Sequence, residues 1–244
     1  MRFWQAIAYV HRESWAFLFA CPLLALIPVA AELAQHAAEM HIGMYRSIEA
    51  AQAAESHPLR LGFGLIKTLA LSLAGYWVVR FVAGGRDAQA ARRFEPRAVR
   101  LFAVVFALQA LLNILALFVF TGGPVAIGFM VFGFVFGILA ARFAVAAPLG
   151  TWISPLASIR QMARHLPWSL AFAIVSMLPL MTVHYALGIG AIPAPYWAGW
   201  PMLVADALVV GWLAALLAAS SWVIAARAGP LIGDVRAAPD PAGT

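Results

Sequence analysis

Gly84-Gly85-Arg86-Asp87-Ala88-Gln89-Ala90-Ala91-Arg92-Arg93-Phe94-Glu95-Pro96-Arg97-Ala98-Val99-Arg100 places five arginines between two long apolar runs, about 60–83 and 100–121. Each run exceeds the roughly 18–20 residues that an apolar helix needs to cross a bilayer. Four further runs of comparable length lie at about 15–34, 124–148, 167–190 and 200–226. Their connections alternate. The N-terminal arm carries Arg2 and Arg12. The connection after the first run is net acidic, with Glu39, Glu49 and Glu55 against Arg46. The connection after the second run is the basic one quoted above. Thr121-Gly122-Gly123-Pro124 then makes an uncharged hairpin, Arg142, Arg160 and Arg164 follow the fourth run, and no charge follows the fifth. Every second connection is basic, the pattern that marks cytoplasmic loops. The expectation is an all-α, multi-pass protein of a bacterial inner membrane. It has six transmembrane helices, both termini in the cytoplasm and a cytoplasmic tail over 227–244.

Composition agrees. Of the 244 residues 64% are hydrophobic and 11% charged, about half the charge of a soluble domain. So little charge cannot cover a water-facing surface. The net charge of +6 therefore does not indicate nucleic acid, whose binders gather charge on a solvated domain. Fifteen of the sixteen basic residues are arginine, which together with abundant alanine suggests a GC-rich bacterial genome. The one cysteine, Cys21, can form no intrachain disulfide, and no cysteine zinc site follows from it. Leu18-Phe19-Ala20-Cys21 is a poor lipoprotein cleavage site, because Phe19 fits badly and Pro22 follows.

Two segments are amphipathic rather than spanning. Residues 1–14 set Phe3, Ile7 and Val10 against Arg2, Gln5, Tyr9 and Arg12. Residues 154–166 set Leu156, Ile159 and Met162 against Ser158, Gln161, Arg164 and His165, with Ser154 as N-cap and Pro155 as first helical residue. Both are expected in the cytoplasmic interface, where Arg2, Arg12, Arg92, Arg93, Arg97, Arg160 and Arg164 meet anionic headgroups. His11–Ala20 and Arg164–Ala173 share an arginine–histidine pair, a tryptophan and an apolar run with proline, which reads as a parallel repeat or as chance likeness between two amphipathic entries.

Ala147-Pro148-Leu149-Gly150, Ser154-Pro155-Leu156-Ala157-Ser158-Ile159-Arg160 and Trp168 resemble a pattern in YciC-like small polytopic inner-membrane proteins. The membrane domain that accompanies some glycerophosphodiester phosphodiesterases has it too. The likeness covers about 25 residues, and beyond them architecture alone. It implies an envelope role rather than an activity, since no phosphodiesterase domain is present.

Ionisable groups inside spans are functional candidates by default. Glu32, Lys67, His184 and Asp206 fall at a common depth, about 10 Å below the outer surface at 1.5 Å per residue, with Asn113 and Gln109 near that level. They read as one outward-facing polar pocket for a headgroup, an anion or a coupling proton. They read equally as a structural lock pairing Lys67 with Asp206 or Glu32, or as a lysine snorkelling to the interface. Glu32, His36 and Glu39 stand at i, i+4 and i+7, a weak metal-ligand spacing beside a bland polar face. Gly133 and Gly137, with Gly128 before them, offer a close-packing surface within the chain or between copies. Tyr196, Trp197 and Trp200 suit an outer interfacial belt. Motifs for serine proteolysis, phosphatidyl transfer, nucleotide binding or haem ligation are missing. The expectation is thus a non-enzymatic envelope protein without a cofactor, which organises lipid or serves as an accessory subunit. Its partners would be lipids, a membrane subunit or a second copy. A small transporter using the polar pocket is the alternative, and a membrane enzyme of unrecognised class the third.

Overall fold

In the computed structural model, which describes residues 1–231, the chain is all helical. The helices are α1 (Phe3–Ala20), α2 (Pro22–His41), α3 (Ile48–Ala53), α4 (Pro58–Ala83), α5 (Ala88–Arg92) and α6 (Pro96–Ile114, continued by a π-helical turn Leu115–Val119). After these come α7 (Gly123–Leu139), α8 (Ala141–Ala146), α9 (Pro155–Met162), α10 (Leu166–Gly190) and α11 (Tyr196–Ala226). Proline occupies the first or second position of α2, α4, α6, α7, α9 and α10, where its missing N–H costs nothing and its fixed φ favours the helix. Four helical segments are long and apolar enough to cross a membrane. Two bent pairs, α1 with α2 at 99° and α7 with α8 at 56°, raise that to six if each pair is one span.

The longest helix, α11, is the centre. It packs on α1, α2, α4 and α10. Its inward face is rich in small residues, Ala207, Ala214, Ala215, Ala219 and Ser220 among them, which lets neighbouring backbones approach. The closest approach is at Gly211. A Cβ there would meet Val29 Cγ2 of α2, with Ala25 O 3.4 Å away. By contrast, no atom lies within 4 Å of where a Cβ would stand on Gly128, Gly133 or Gly137. The sequence expectation of close packing at those three glycines is therefore corrected as far as this chain is concerned. On α7, Val125, Ile127, Met130, Val131 and Phe132 are all exposed.

The first apolar run, expected to cross as 15–34, is divided. Pro22 lacks the N–H that would continue α1, and the chain breaks at Cys21 (φ −132°, ψ 53°) and restarts with Pro22 as the first residue of α2, whereas Pro28, Pro179 and Pro201 are accommodated within helices. Trp15 thus precedes the break, whereas Trp168 sits inside α10, and the repeat suggested by the sequence is not matched by equivalent positions. Residues 154–166 divide into α9 and a 3-10 turn, Ala163–His165, and Ser154 caps α9 by accepting from Ala157 N at 3.2 Å. The faces of α9 differ from the expected ones: Ser158 is buried and Leu156 exposed. Ser158 Oγ donates to Leu139 O at 2.7 Å and accepts from Phe143 N at 3.3 Å. Those two groups would bond each other in an unbroken helix, so the hydroxyl stands inside the ladder at the α7–α8 bend.

Several arginines serve the fold. Arg86 makes two bonds to Glu13, 2.9 and 2.8 Å, tying the α4–α5 connection to α1. Its guanidinium holds the Glu13 carboxyl below the usual carboxylate range. Arg92 Nη2 donates to Ala20 O at 2.9 Å, closing the end of α1. Arg142 is buried and donates to Ala225 O, Gly229 O and Pro230 O at 3.0, 2.8 and 2.8 Å, which caps α11. Arg2, Arg12, Arg92, Arg93, Arg97, Arg160 and Arg164 are all exposed. Only the first five residues of the expected 227–244 tail fall among the described residues.

Candidate functional site: a buried carboxylate–histidine centre

On α2, Glu32, Gln35, His36 and Glu39 follow the i, i+3, i+4, i+7 stripe of one helical face, and all four are buried. The stripe faces three helices. From α4, two turns apart, come Arg60 and Lys67. Gly64 between them leaves room for Gln35, whose Oε1 lies 3.9 Å from where a Cβ would stand. His184 comes from near the end of α10, and Asp206 from early in α11. The centre thus sits where α2 ends and α4 begins, at the opposite end of the bundle from Arg227, whose guanidinium lies 4.5 Å over the Trp168 ring.

His36 is the hub. Its Nε2 lies 3.0 Å from Asp206 Oδ2 and 3.4 Å from Glu32 Oε1, and its Nδ1 lies 3.2 Å from Glu39 Oε2. Each partner is itself held. Asp206 Oδ1 is 2.7 Å from His184 Nδ1. Lys67 Nζ lies 3.2 and 3.1 Å from the two oxygens of Glu32. Glu39 accepts from Gln35 Nε2 at 2.8 Å, from Tyr45 Oη at 2.8 Å and from Arg60 Nε at 3.2 Å. Asp206 is fully buried and Glu32 is 1% exposed, while the His184 and Lys67 side chains are partly exposed at the edge.

Tyr45 reaches the centre because the chain turns back after α2 through Gly43, at φ 77°, into the short helix Met44–Arg46. Burial pushes the Tyr45 phenol up, and the neighbouring Glu39 carboxylate adds to this, so Tyr45 stands as a neutral donor. On its other side lies a cavity of about 380 Å³, lined by Met40, Tyr45, Ala191, Gly199 and Leu203. Tyr45 is the wall between that cavity and His36.

Of the sequence-predicted site residues, Glu32, Lys67, His184 and Asp206 do meet, but Lys67 pairs with Glu32 rather than Asp206, and Asp206 faces two histidines. The weak triad Glu32, His36, Glu39 is part of the same centre. Asn113 is elsewhere: with Gln109, Gly133 and Gly137 it lines a groove of about 550 Å³ between α6 and α7, where Gln109 Oε1 has no hydrogen-bond partner. Sequence reasoning missed Gln35, Tyr45 and Arg60, and it counted His184 as the single intramembrane histidine. Gln35 lies on the same helical face as the Glu32, His36 and Glu39 stripe and could have been read from it, whereas no spacing in the sequence points to Tyr45 or Arg60.

Chemically, the centre holds Glu32, Glu39 and Asp206 against Lys67 and Arg60, three carboxylates against two fixed cations. With both histidines neutral the set carries one net negative charge. Comparison with family models, with curated protein sequences and with solved structures gives no match.

Proposed function

We propose that this is a non-enzymatic multi-pass protein of the bacterial inner membrane that works by binding a small cation in the outer half of its bundle. In this reading it has six spans, the first formed by the bent pair α1 and α2, both termini are cytoplasmic, and residues 1–14 and 154–166 lie against the cytoplasmic interface with the exposed arginines on anionic headgroups. The alternating basic connections support the orientation, and the likeness of the 147–168 region to YciC-like envelope proteins agrees with it. The observation that carries the function is the size of the buried centre. A staple between helices needs one ion pair. Here seven ionisable side chains from α2, α4, α10 and α11 share one network around His36. Buried charge is costly in a membrane and marks ion or proton sites.

The test is thermal unfolding of the purified protein in detergent, with Na+, Ca2+ or Zn2+ added in turn and at several pH values. A ligand at about 100 times its Kd stabilises by about 2.7 kcal/mol. The expected result is a rise in Tm with at least one cation that Asp206→Asn abolishes while the variant still elutes as a folded species. If no cation and no pH change shifts the native protein, and Glu32→Leu with Lys67→Met restores what either single change loses, the centre is a staple and the proposal fails.

A second reading, an accessory subunit, is favoured by α7, whose exposed apolar side chains and open glycine face suit a partner helix. Blue-native electrophoresis of the membrane extract checks it, and a single band at the mass of the chain in its micelle would exclude it.

A further inference from the structure

Resting on the reading of the centre as a cation site, we propose that its ligand is a divalent transition metal held by His36 Nε2, Glu32 Oε1 and Asp206 Oδ2. These three side chains are buried, and their ligand atoms lie within 4.8 Å of one another. The spacing fits. Bonds of about 2.0–2.1 Å in a tetrahedral zinc site keep neighbouring donors about 3.3 Å apart. Nε2 lies 3.0 Å from Asp206 Oδ2 and 3.4 Å from Glu32 Oε1. Closing Glu32 Oε1 and Asp206 Oδ2, which lie within 4.8 Å of each other, onto a common point completes the set around one ion.

The surroundings are those of a ligand set. A metal-binding histidine gives its other ring nitrogen to a carboxylate, which fixes the ring and raises its basicity. His36 Nδ1 lies 3.2 Å from Glu39 Oε2, and Glu39 is held in turn by Gln35, Tyr45 and Arg60. Asp206 keeps Oδ2 toward Nε2 because its other oxygen is 2.7 Å from His184 Nδ1. This corrects the sequence triad: Glu39 positions His36, and Asp206 takes its place as a ligand. Glu32 presents Oε1 to His36 Nε2 at 3.4 Å, while Lys67 Nζ stands 3.2 and 3.1 Å from its two oxygens and holds the carboxylate in place. One imidazole with two carboxylates selects a transition metal over the all-oxygen preference of Mg2+ or Ca2+.

The experiment uses the full chain in detergent, freed of any affinity tag, stripped with chelator and titrated with Co2+ and then Zn2+. The expected result is one Co2+ per chain with visible d–d bands that Zn2+ displaces. His36→Gln abolishes the bands. Glu39→Gln, which leaves all three ligands in place, weakens binding about 10–100-fold. His41→Ala with His57→Ala, two exposed histidines, leaves binding unchanged. Near-ultraviolet circular dichroism of each variant reports its fold independently of metal. The proposal is overturned if the native protein takes up no Co2+, or if His36→Gln binds as well as native, or if the bands vanish with His41 and His57 instead. If Co2+ and Zn2+ have no effect while Na+ or a pH change still shifts Tm through Asp206, the metal falls and the wider cation reading stands. If nothing shifts Tm, both fall.

Discussion

Gly211→Ala is the smallest change that separates α2 from α11. The added Cβ would face Val29 Cγ2 well inside the 3.5–4.0 Å of an ordinary carbon contact, and Ala25 O at 3.4 Å prevents the helix from sliding the other way. Val29 is β-branched and in a helix, so its χ1 has one strongly preferred rotamer and cannot simply turn aside. Overpacking of this kind costs about 1–3 kcal/mol. Val29→Ala alone opens a void of two methyl groups and costs about 1–2 kcal/mol at ~0.8 kcal/mol per group. Combined, the new methyl of residue 211 fills the space vacated at residue 29. The double variant is therefore more stable than the sum of its parts by about 1–2 kcal/mol, a coupling expected of residues in contact. Reversible unfolding in mixed micelles, followed by the fluorescence of Trp212, whose ring lies tilted with its centroid 4.7 Å from that of Trp15, reports all four proteins. Additive behaviour, or a neutral Gly211→Ala, would refute the claim that this contact sets the distance between α2 and α11. Because Asp206 lies five residues before Gly211, the single variant also displaces it from His36, and the double variant restores it.

Glu13, held below its ordinary value near 4.5 by Arg86, gives stability that is present above that value and is lost as pH falls through the lower folded-state value. Docking of α1, read by quenching between Trp15 and Trp212, should stay constant from pH 7 to 5 and loosen only on further acidification; Glu13→Gln should remove that acid dependence. Ser158→Ala leaves Leu139 O and Phe143 N without a partner, and a loss of about 1–3 kcal/mol is expected in thermal unfolding. Arg142→Met frees three carbonyls at the end of α11, and protease should then cut after residue 226 faster than in the native protein, with unchanged cutting excluding the cap. Cysteines placed at Gln89 and at Ala53 in a Cys21→Ala background should be labelled from opposite sides of the membrane, Gln89 from the cytoplasm; the reverse pattern would overturn the orientation.

Depth was legible in the sequence, and direction was not. Counting residues inward from charge-poor connections puts Glu32, Lys67, His184 and Asp206 at one level, because a helix rises by a fixed amount per residue. Which of them touch depends on the rotation of each helix about its axis. That rotation is set by contacts such as Gly211 on Val29, far apart in the chain, so the sequence left Lys67 open to Asp206 or Glu32, and the structure has it on Glu32. His36 and Glu39 fall in the connection if the first span stops where its apolar run does, at about residue 34, although the helix continues to His41. Polar side chains that face one another inside a bundle carry no hydrophobic signal. The break at Cys21 was written plainly in Pro22, but a break and a mere kink read alike until the 99° angle is seen. The glycines of α7 carry a packing pattern that no neighbouring element among the described residues fills.

The central position of α11 has a consequence for biogenesis. This helix follows every one of its packing partners in the chain, so during synthesis α1, α2, α4 and α10 emerge before the element that joins them. Until α11 arrives, the imidazole of His36 and the carboxylates of α2 enter the bilayer without Asp206. The early intermediate therefore has Glu32 and Glu39 paired with Lys67 and Arg60 of α4 but leaves His36 without the carboxylate that the final segment brings. Nascent chains halted before residue 196 should engage insertion chaperones or membrane quality-control proteases, and release should coincide with entry of the last span.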